Sequence, residues 1–194
     1  EDGKICMEEV YRFSNDPVDI TGHTFWDILR LYWEIRQGLL KFANQKEGGI
    51  ASVGIDTWGV DFGLLDRSGH LMGNPYHYRD IRTENMFEEA FRVVPREEIY
   101  RRTGIAFQKF NTLYQLLSLR QSDPEQLERA SDLLFIPDLL GYFLTGEKKT
   151  EFTEAITSQI LDAQSGNWCR ELLRALDIPD HFLTGLDYNI YLEK

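Results

Sequence analysis

The stretch of sequence that decides the fold is residues 55–62, which read Ile55-Asp56-Thr57-Trp58-Gly59-Val60-Asp61-Phe62. The apolar run at residues 50–55 predicts a buried strand that ends in this stretch. A second apolar run, residues 60–65, predicts the strand that leaves it. Ligand sites in α/β folds form where strands deliver polar groups and bare backbone at their carboxyl ends. We therefore predict that a small molecule binds at this turn.

Composition restricts the class of protein. The chain has 194 residues, 42% of them hydrophobic and 13% aromatic, which predicts one globular domain. Its net charge of −11 argues against nucleic acid and against an anionic membrane surface, because both bind cationic proteins. No apolar stretch approaches the roughly 18 residues of a membrane span. A neutral ligand such as a sugar is compatible with the acidic surface.

The cysteine and histidine positions argue against a disulfide framework and against zinc. Cys6 and Cys169 lie far apart in the sequence, which favours a reducing, cytoplasmic location. The four histidines are scattered, and none form a pair at helical ligand spacing, so no metal site is predicted.

Strands mixed with helices predict an α/β fold. Helices are predicted at residues 27–44, 84–94, 95–102, 124–130 and 139–144, and from Asn111 or Thr112 as the capping residue. Gly104 and Gly146 are predicted to end the helices at residues 95–102 and 139–144. Strands are predicted at residues 4–13, 50–55, 60–66 and 75–78, with short extended or buried runs at 24–26 and 133–136. A turn at residues 66–69 predicts that Leu71 and Met72 pair back on the preceding strand.

Common nucleotide-binding and hydrolase motifs are absent from the sequence. There is no Walker A loop, no Gly-x-Gly-x-x-Gly fingerprint and no Gly-x-Ser-x-Gly elbow. The remaining candidate chemistry is therefore polar and distributed.

Asp56 and Asp61 flank the centre of the turn and allow two readings. As a pair they suit acid–base work or cation binding; alternatively, one caps the turn and the other faces solvent. Gly59 indicates close approach of a ligand or of another segment. Trp58 suits either stacking on a sugar or packing in the core.

A charged segment follows the predicted strand at residues 75–78. Arg79, Asp80 and Arg82 are close enough in sequence to form a local salt-bridge cluster, which at a surface contributes little stability. Alternatively, Tyr78 and Arg79 line the same pocket as the turn, because short strands around a shared turn end near one another.

Residues 50–83 resemble the rhamnulokinases, a group within the FGGY carbohydrate kinases. The resemblance extends over residues 4–179 and includes the segments at residues 99–105, 110–116, 136–138, 142–146 and 151–159. Its most specific part is residues 56–61, where xylulose and glycerol kinases look different.

The resemblance implies a ribonuclease-H-like N-terminal domain of a two-domain, actin-like kinase, with a mixed sheet and flanking helices. Residues 1–194 are expected to be part of the sugar-binding domain, without its first strand and hairpin and without the nucleotide domain. The implied reaction is phosphorylation of L-rhamnulose by ATP with Mg²⁺, giving L-rhamnulose 1-phosphate. Two alternatives are another FGGY kinase, of the xylulose, fuculose or gluconate type, and a non-catalytic sugar-binding module.

The resemblance also implies site residues. Those expected to bind the sugar are Thr57, Trp58, Gly59, Asp61, Tyr78, Arg79, Phe110 and Asn111. Tyr78 stands where glycerol kinases have a tryptophan, and Phe110 stands where they have a tyrosine. The family's catalytic aspartate lies in a His-Asp-Thr-like stretch that this chain lacks, so no catalytic residue is predicted within residues 1–194, and the segment alone is expected to be inactive.

Overall fold

The structure is a computed structural model that describes residues 5–45 and 49–188. The helices are α1 Ile28–Gln45, α2 Met86–Val93, α3 Arg96–Thr103, α4 Thr112–Ser122, α5 Pro124–Arg129, α6 Ile136–Thr145, α7 Phe152–Ile156 and α8 Arg170–Ala175. The strands are β1 Val18–Ile20, β2 His23–Phe25, β3 Phe62–Leu65, β4 Asp132–Phe135, β5 Thr150–Glu151 and β6 Leu186–Asp187. Helices and short strands alternate along the chain, which confirms the predicted α/β class.

The strands pair in both directions. β1 pairs with β2 and β3 with β4, each antiparallel, whereas β5 pairs with β6 in parallel. A parallel bridge between Leu133 and Leu183 adds a further contact to β4. Both directions of the predicted mixed sheet therefore occur, but the described strands form three two-stranded pairs instead of one sheet.

The β3–β4 ribbon separates two hydrophobic layers. Successive side chains of a strand point to opposite faces. Leu133 and Phe135 of β4 accordingly join the larger cluster with α2, α4 and α8, whereas Leu134 joins the smaller one with α1 and α6. In β3, Phe62 and Leu64 face the larger cluster.

Helix α1 matches its prediction. Ile28, Leu31, Tyr32 and Ile35 fall on one stripe and pack in the smaller cluster. The glycines predicted to end two later helices also do so. Gly104 after α3 and Gly146 after α6 have left-handed φ angles of 67° and 80°.

The predicted hairpin after β3 is present. The Asp66 carboxylate accepts hydrogen bonds from the backbone N–H groups of Ser68 and His70, at 2.8 and 2.9 Å. Leu71 then bridges back to Leu65. Because short polar side chains mimic backbone turns, this local signal is readable from sequence.

The prediction of a strand at residues 50–55 is wrong. No strand includes any of the described residues 49–61, and Ile50 and Val53 are 39% and 50% exposed. An apolar run becomes a strand only when a neighbouring strand satisfies its backbone groups, and none of the described strands pairs here. The same holds for residues 5–13; Lys4, the first residue of that predicted strand, lies outside the described residues.

Two other predicted strands are shorter than expected. The strand predicted at residues 60–66 begins only at Phe62, because the preceding residues form a tight bend. At residues 75–78, Tyr76 bridges Phe25, and the Trp26 N–H donates to Pro75 O at 2.9 Å. This extends the β1–β2 pairing by a third segment.

Helices long and apolar enough to cross a bilayer were not found among the described residues.

Candidate functional site

A three-residue bend lies at the centre of the site. The Asp61 N–H donates to Gly59 O at 3.0 Å, and Val60 between them has a φ of +70°. This geometry is that of a γ-turn, and a β-branched residue rarely adopts it. The Val60 N–H donates to Thr157 Oγ1 at 3.2 Å, and Val60 O accepts from Thr112 Oγ1 at 2.7 Å. Two threonines from distant segments therefore hold the bend.

Gly59 makes room for one of these threonines. A Cβ atom at position 59 would lie 2.9 Å from Thr157 Oγ1 and 3.2 Å from its Cβ. The sequence indicated that either a ligand or another segment approaches Gly59 closely. In the structure it is another segment, since Thr157 directly follows α7.

Asp61 is fully buried beneath the bend. Its Oδ2 accepts from Trp26 Nε1 at 2.6 Å, from Trp58 Nε1 at 3.0 Å and from the Tyr78 N–H at 3.1 Å. Its Oδ1 accepts from Gln115 Nε2 at 2.8 Å. Burial raises the pKa of Asp61 to about 6, although these hydrogen bonds oppose the rise. The carboxylate is therefore ionised at neutral pH.

Asp56 is separate from Asp61. Its residue is exposed, whereas Asp61 is enclosed by donors. The sequence allowed either a functional pair of carboxylates or one carboxylate in the turn and one in solvent. The structure is closer to the second reading, with Asp61 in the turn and Asp56 in solvent. The Thr57 hydroxyl donates to Trp58 O at 3.0 Å, which links the two residues that precede Gly59.

A row of aromatic rings runs from the bend toward α4. In order of contact, the row consists of Trp58, Trp26, His77, Tyr78 and Phe110. The first three centroid separations are 4.0, 4.2 and 4.4 Å, and the last, an edge contact, is 5.7 Å. Of these rings, the sequence predicted Trp58, Tyr78 and Phe110 as site residues but missed two others. Trp26 lies in a segment with no motif, and His77 lies within residues 50–83, directly before Tyr78, but was not singled out.

His77 is held neutral within this row. Its Nδ1 accepts from the Arg79 N–H at 3.0 Å. Burial, followed by the charge of Arg79, lowers the pKa of His77. A neutral imidazole stacks between two rings without placing an unpaired cation in the core.

The charged residues after Tyr78 separate instead of forming the predicted cluster. Arg79 is exposed, with its guanidinium 5.2 Å from the centroid of the Tyr78 ring. Asp80 is buried, lies 3.1 Å from His23 Nδ1, and accepts from the backbone of Thr24 and Arg82. The predicted surface ion-pair cluster is thus replaced by a buried carboxylate that joins β2 to the site.

Arg82 faces inward toward Gln115. Its Nη2 donates to Gln115 Oε1 at 2.6 Å, and its guanidinium lies 3.9 Å from the centroid of the Tyr76 ring. Burial lowers the pKa of Arg82 to about 10, so it remains a cation at neutral pH. The bond to Gln115 Oε1 orients the amide so that its N–H₂ group faces Asp61.

Asn111 occupies the position before α4, but its side chain forms no cap hydrogen bond. Its Nδ2 donates to Ala106 O at 3.0 Å and to Gln159 Oε1 at 2.8 Å, and the residue is buried. The predicted cap is therefore formed by neither candidate, since the Thr112 hydroxyl bonds Val60 O.

A cavity of about 670 Å³ opens beside Asp56 and Thr57, between residues 53–57, α6 and residues 147–154. Its wall includes Asp138 and Glu154, which the sequence did not single out. Burial raises the pKa of Asp138 to about 8 and that of Glu154 to about 7. One oxygen of each, Asp138 Oδ2 and Glu154 Oε1, is buried and receives no hydrogen bond. Burial therefore favours the protonated form of both carboxyl groups.

Comparison with known proteins identifies the family of this chain. The model of the FGGY family of carbohydrate kinases, N-terminal domain, matches residues 1–189. The rhamnulokinase of Oceanobacillus iheyensis is 43% identical over 176 residues, which are 91% of this chain and 37% of that protein. The rhamnulokinase of Bacteroides thetaiotaomicron is 44% identical over 179 residues, 92% of this chain and again 37% of that protein.

Solved structures share the fold at lower identity. A ligand-bound xylulose kinase from Lactobacillus acidophilus matches 90% of this chain and 36% of its own, with a TM-score of 0.81 and 21% identity. A Plasmodium falciparum glycerol kinase with ADP matches 91% of this chain and 38% of its own, with a TM-score of 0.78 and 20% identity. The chain thus spans little more than a third of the length of these relatives.

Proposed function

This chain belongs to the FGGY family of carbohydrate kinases, and we propose that it is the sugar-binding part of an ATP-dependent kinase that phosphorylates L-rhamnulose. The phosphoryl group would go from ATP to the primary hydroxyl of the ketose, giving L-rhamnulose 1-phosphate. The identity of 43% and 44% to two rhamnulokinases supports this substrate over other sugars.

The observation that carries the proposal is the bend at Gly59 with aromatic rings on one side. Ligand sites are mostly apolar surfaces with a few placed polar groups. Trp58, Tyr78 and Phe110 provide the apolar surface. The Thr57 hydroxyl and the exposed Arg79 guanidinium provide polar groups for the sugar's hydroxyls.

These residues would act by orienting the ketose. Holding a reacting hydroxyl in line with a phosphate lowers the barrier by several kcal/mol without any covalent step by the protein. Closure of the site would exclude water, which otherwise competes with the sugar as phosphoryl acceptor.

ATP supplies the phosphoryl group in this reaction, and Mg²⁺ neutralises charge on its phosphates. Across residues 5–45 and 49–188, no three histidine, cysteine, aspartate or glutamate side chains form a group that could hold a metal ion. The chain covers 37% of the length of the two rhamnulokinases, and we assign ATP, Mg²⁺ and the aspartate that accepts the hydroxyl proton to the remaining part of such a kinase.

The proposed location is the cytoplasm. Cys6 and Cys169 are both free thiols, one exposed and one buried. Free thiols of this kind are typical of a reducing compartment.

A thermal-shift panel tests the substrate. L-Rhamnulose, L-fuculose, D-xylulose and D-gluconate are added separately to the chain and to the kinase expressed from its whole open reading frame. A ligand at 100 times its Kd adds about 2.7 kcal/mol to stability. We expect L-rhamnulose to give the largest rise in Tm. A rise with L-fuculose or D-xylulose and none with L-rhamnulose would overturn the substrate; binding without phosphorylation by the whole kinase would favour a sugar-binding module.

A further inference from the structure

The carboxylate of Asp61 has no room for a ligand. An ionised carboxylate offers about four acceptor positions. Two indole N–H groups and the Tyr78 N–H occupy Oδ2, and the Gln115 amide occupies Oδ1. The residue has 0% of its surface exposed. Asp61 therefore cannot both keep these bonds and touch a sugar.

The four donors come from four separate segments. Trp26 follows β2, Trp58 precedes the bend, Tyr78 follows the third segment of the β1–β2 pairing, and Gln115 lies on α4. Trp58 and Tyr78 are two of the aromatic residues assigned to the sugar. A single carboxylate thus binds the indole ring of Trp58 and the backbone N–H of Tyr78.

We infer that Asp61 is a positioning residue of the sugar site: it holds the ring of Trp58 and the backbone of Tyr78 in place without contacting the ketose. This inference rests on the function proposed above. It replaces the direct sugar contact that the sequence resemblance implied for Asp61.

The charge of Asp61 is part of this role, because all four neighbours are donors. An asparagine would place its N–H₂ group against donor N–H groups on at least one side. The Gln115 amide cannot rotate to compensate, since Arg82 donates to its Oε1. The charge of Arg82 attracts the Asp61 carboxylate, and the carboxylate in turn contributes to the raised pKa of Glu154. An uncharged substitute therefore releases one or both indoles.

The test uses two pairs of matched variants of the 194-residue chain. Asp61→Asn and Asp66→Asn make the same change at the two ends of β3, and Asp66 serves only the hairpin. Trp26→Phe removes an indole N–H group that donates to Asp61. Trp33→Phe is its control, because it removes an indole N–H group from an exposed position on α1. L-Rhamnulose affinity is measured by calorimetry, the indole N–H resonances by ¹H–¹⁵N NMR, and folding by far-UV circular dichroism.

We expect Asp61→Asn to weaken L-rhamnulose binding tenfold or more and to shift the indole resonances of both Trp26 and Trp58, with helix content retained. Trp26→Phe should weaken binding several-fold. Asp66→Asn and Trp33→Phe should bind as the wild type does.

Three outcomes would contradict the inference. It is overturned if Asp61→Asn binds L-rhamnulose as tightly as Asp66→Asn, or if the Trp58 indole resonance does not move. Should Asp61→Asn not fold, Trp26→Phe decides, and wild-type affinity in that variant overturns the inference. Failure of the proposed function looks different, because the wild-type chain itself then binds no ketose.

Discussion

At the scale of single residues, the bend carries local strain at the candidate site. A left-handed φ for a β-branched residue costs of order 1–3 kcal/mol and persists only where the surroundings over-determine it. Val60 meets that condition, because Thr112 and Thr157 fix its carbonyl and its amide. The strain lies at Val60, in the same bend as Gly59, beside which we propose that the sugar binds.

Replacing Gly59 by alanine tests how tightly the bend is packed. The added Cβ would lie 2.9 Å from Thr157 Oγ1, so either the bend or the threonine must move. We expect a loss of about 1–3 kcal/mol in unfolding free energy and a clear loss of ketose affinity. Thermal melts and calorimetry measure the two effects.

Gly54→Ala is the matched control, because nothing lies within 4 Å of a Cβ there. If Gly59→Ala melts and binds as Gly54→Ala does, the bend is not packed as the structure indicates.

At the scale of elements, the β3–β4 ribbon positions the site. Its register places Phe62 opposite Phe135, so the bend before β3 lies beside the start of α6. The Ile136 N–H donates to Asp61 O at 3.2 Å, which joins the bend to that helix directly. The site is therefore only as rigid as the packing of α6 against β3.

The closeness of this packing can be measured with a second pair of glycines. A Cβ at Gly63 of β3 would lie 2.6 Å from Leu139 Cδ2 of α6, whereas a Cβ at Gly141, within α6, meets nothing within 4 Å. Gly63→Ala should destabilise the chain by about 1–3 kcal/mol. Gly141→Ala should stabilise it by roughly 0.5–1 kcal/mol, as in any open helical position.

Thermal melts of the two variants show whether each substitution raises or lowers stability, since about 1 kcal/mol moves Tm by 2–4 °C in a chain of this size. Equal signs for the two substitutions would contradict the packing of β3 on α6.

Asp138 in the first turn of α6 should make stability depend on pH. Burial raises its pKa from 3.8 to about 8, so the native state holds a proton that the unfolded state releases. Its contribution to stability is therefore present in acid and is lost as pH rises from about 4 to 8. We expect Asp138→Asn to be more stable than the wild type at pH 8, with the difference vanishing toward pH 4, measured as unfolding free energy by urea titration.

Asp66→Asn is the control with opposite sign. Backbone hydrogen bonds from His70 and Ser68 lower the pKa of Asp66, so this variant should lose stability at neutral pH. A gain at pH 8 in both variants would point to relief of the overall negative charge and away from burial of Asp138.

At the scale of the whole molecule, the chain spans 37% of the length of the two rhamnulokinases to which it was compared. Phosphoryl transfer requires an in-line phosphate and charge neutralisation as well as a bound acceptor. We propose that the described residues bind the acceptor and that the other groups belong to the part of the kinase that this chain does not cover.

The purified 194-residue chain should therefore not turn over ATP with L-rhamnulose. A coupled assay of ADP release measures this, with the kinase expressed from the whole open reading frame as the positive control. Sugar-dependent ADP release by the chain alone would contradict the division of roles proposed here.

Sequence alone predicted what is encoded over short distances. The stripe of α1, the left-handed glycines after α3 and α6 and the Asp66 turn all depend on residues a few positions apart, and all are present. The strand at residues 50–55 was predicted by the same local logic and is wrong, because strand formation requires a partner that local sequence does not specify.

The sequence by itself determined the family and the position of the bend, since Trp58, Gly59 and Asp61 are neighbours in the chain. Only the tertiary structure decided what these residues do there. Asp61 meets Trp26 from 35 positions away and Gln115 from 54, and Thr157 contacts Val60 across 97. Such hydrogen bonds form only once packing has brought the segments together, and the burial that accompanies them raises the pKa of Asp61.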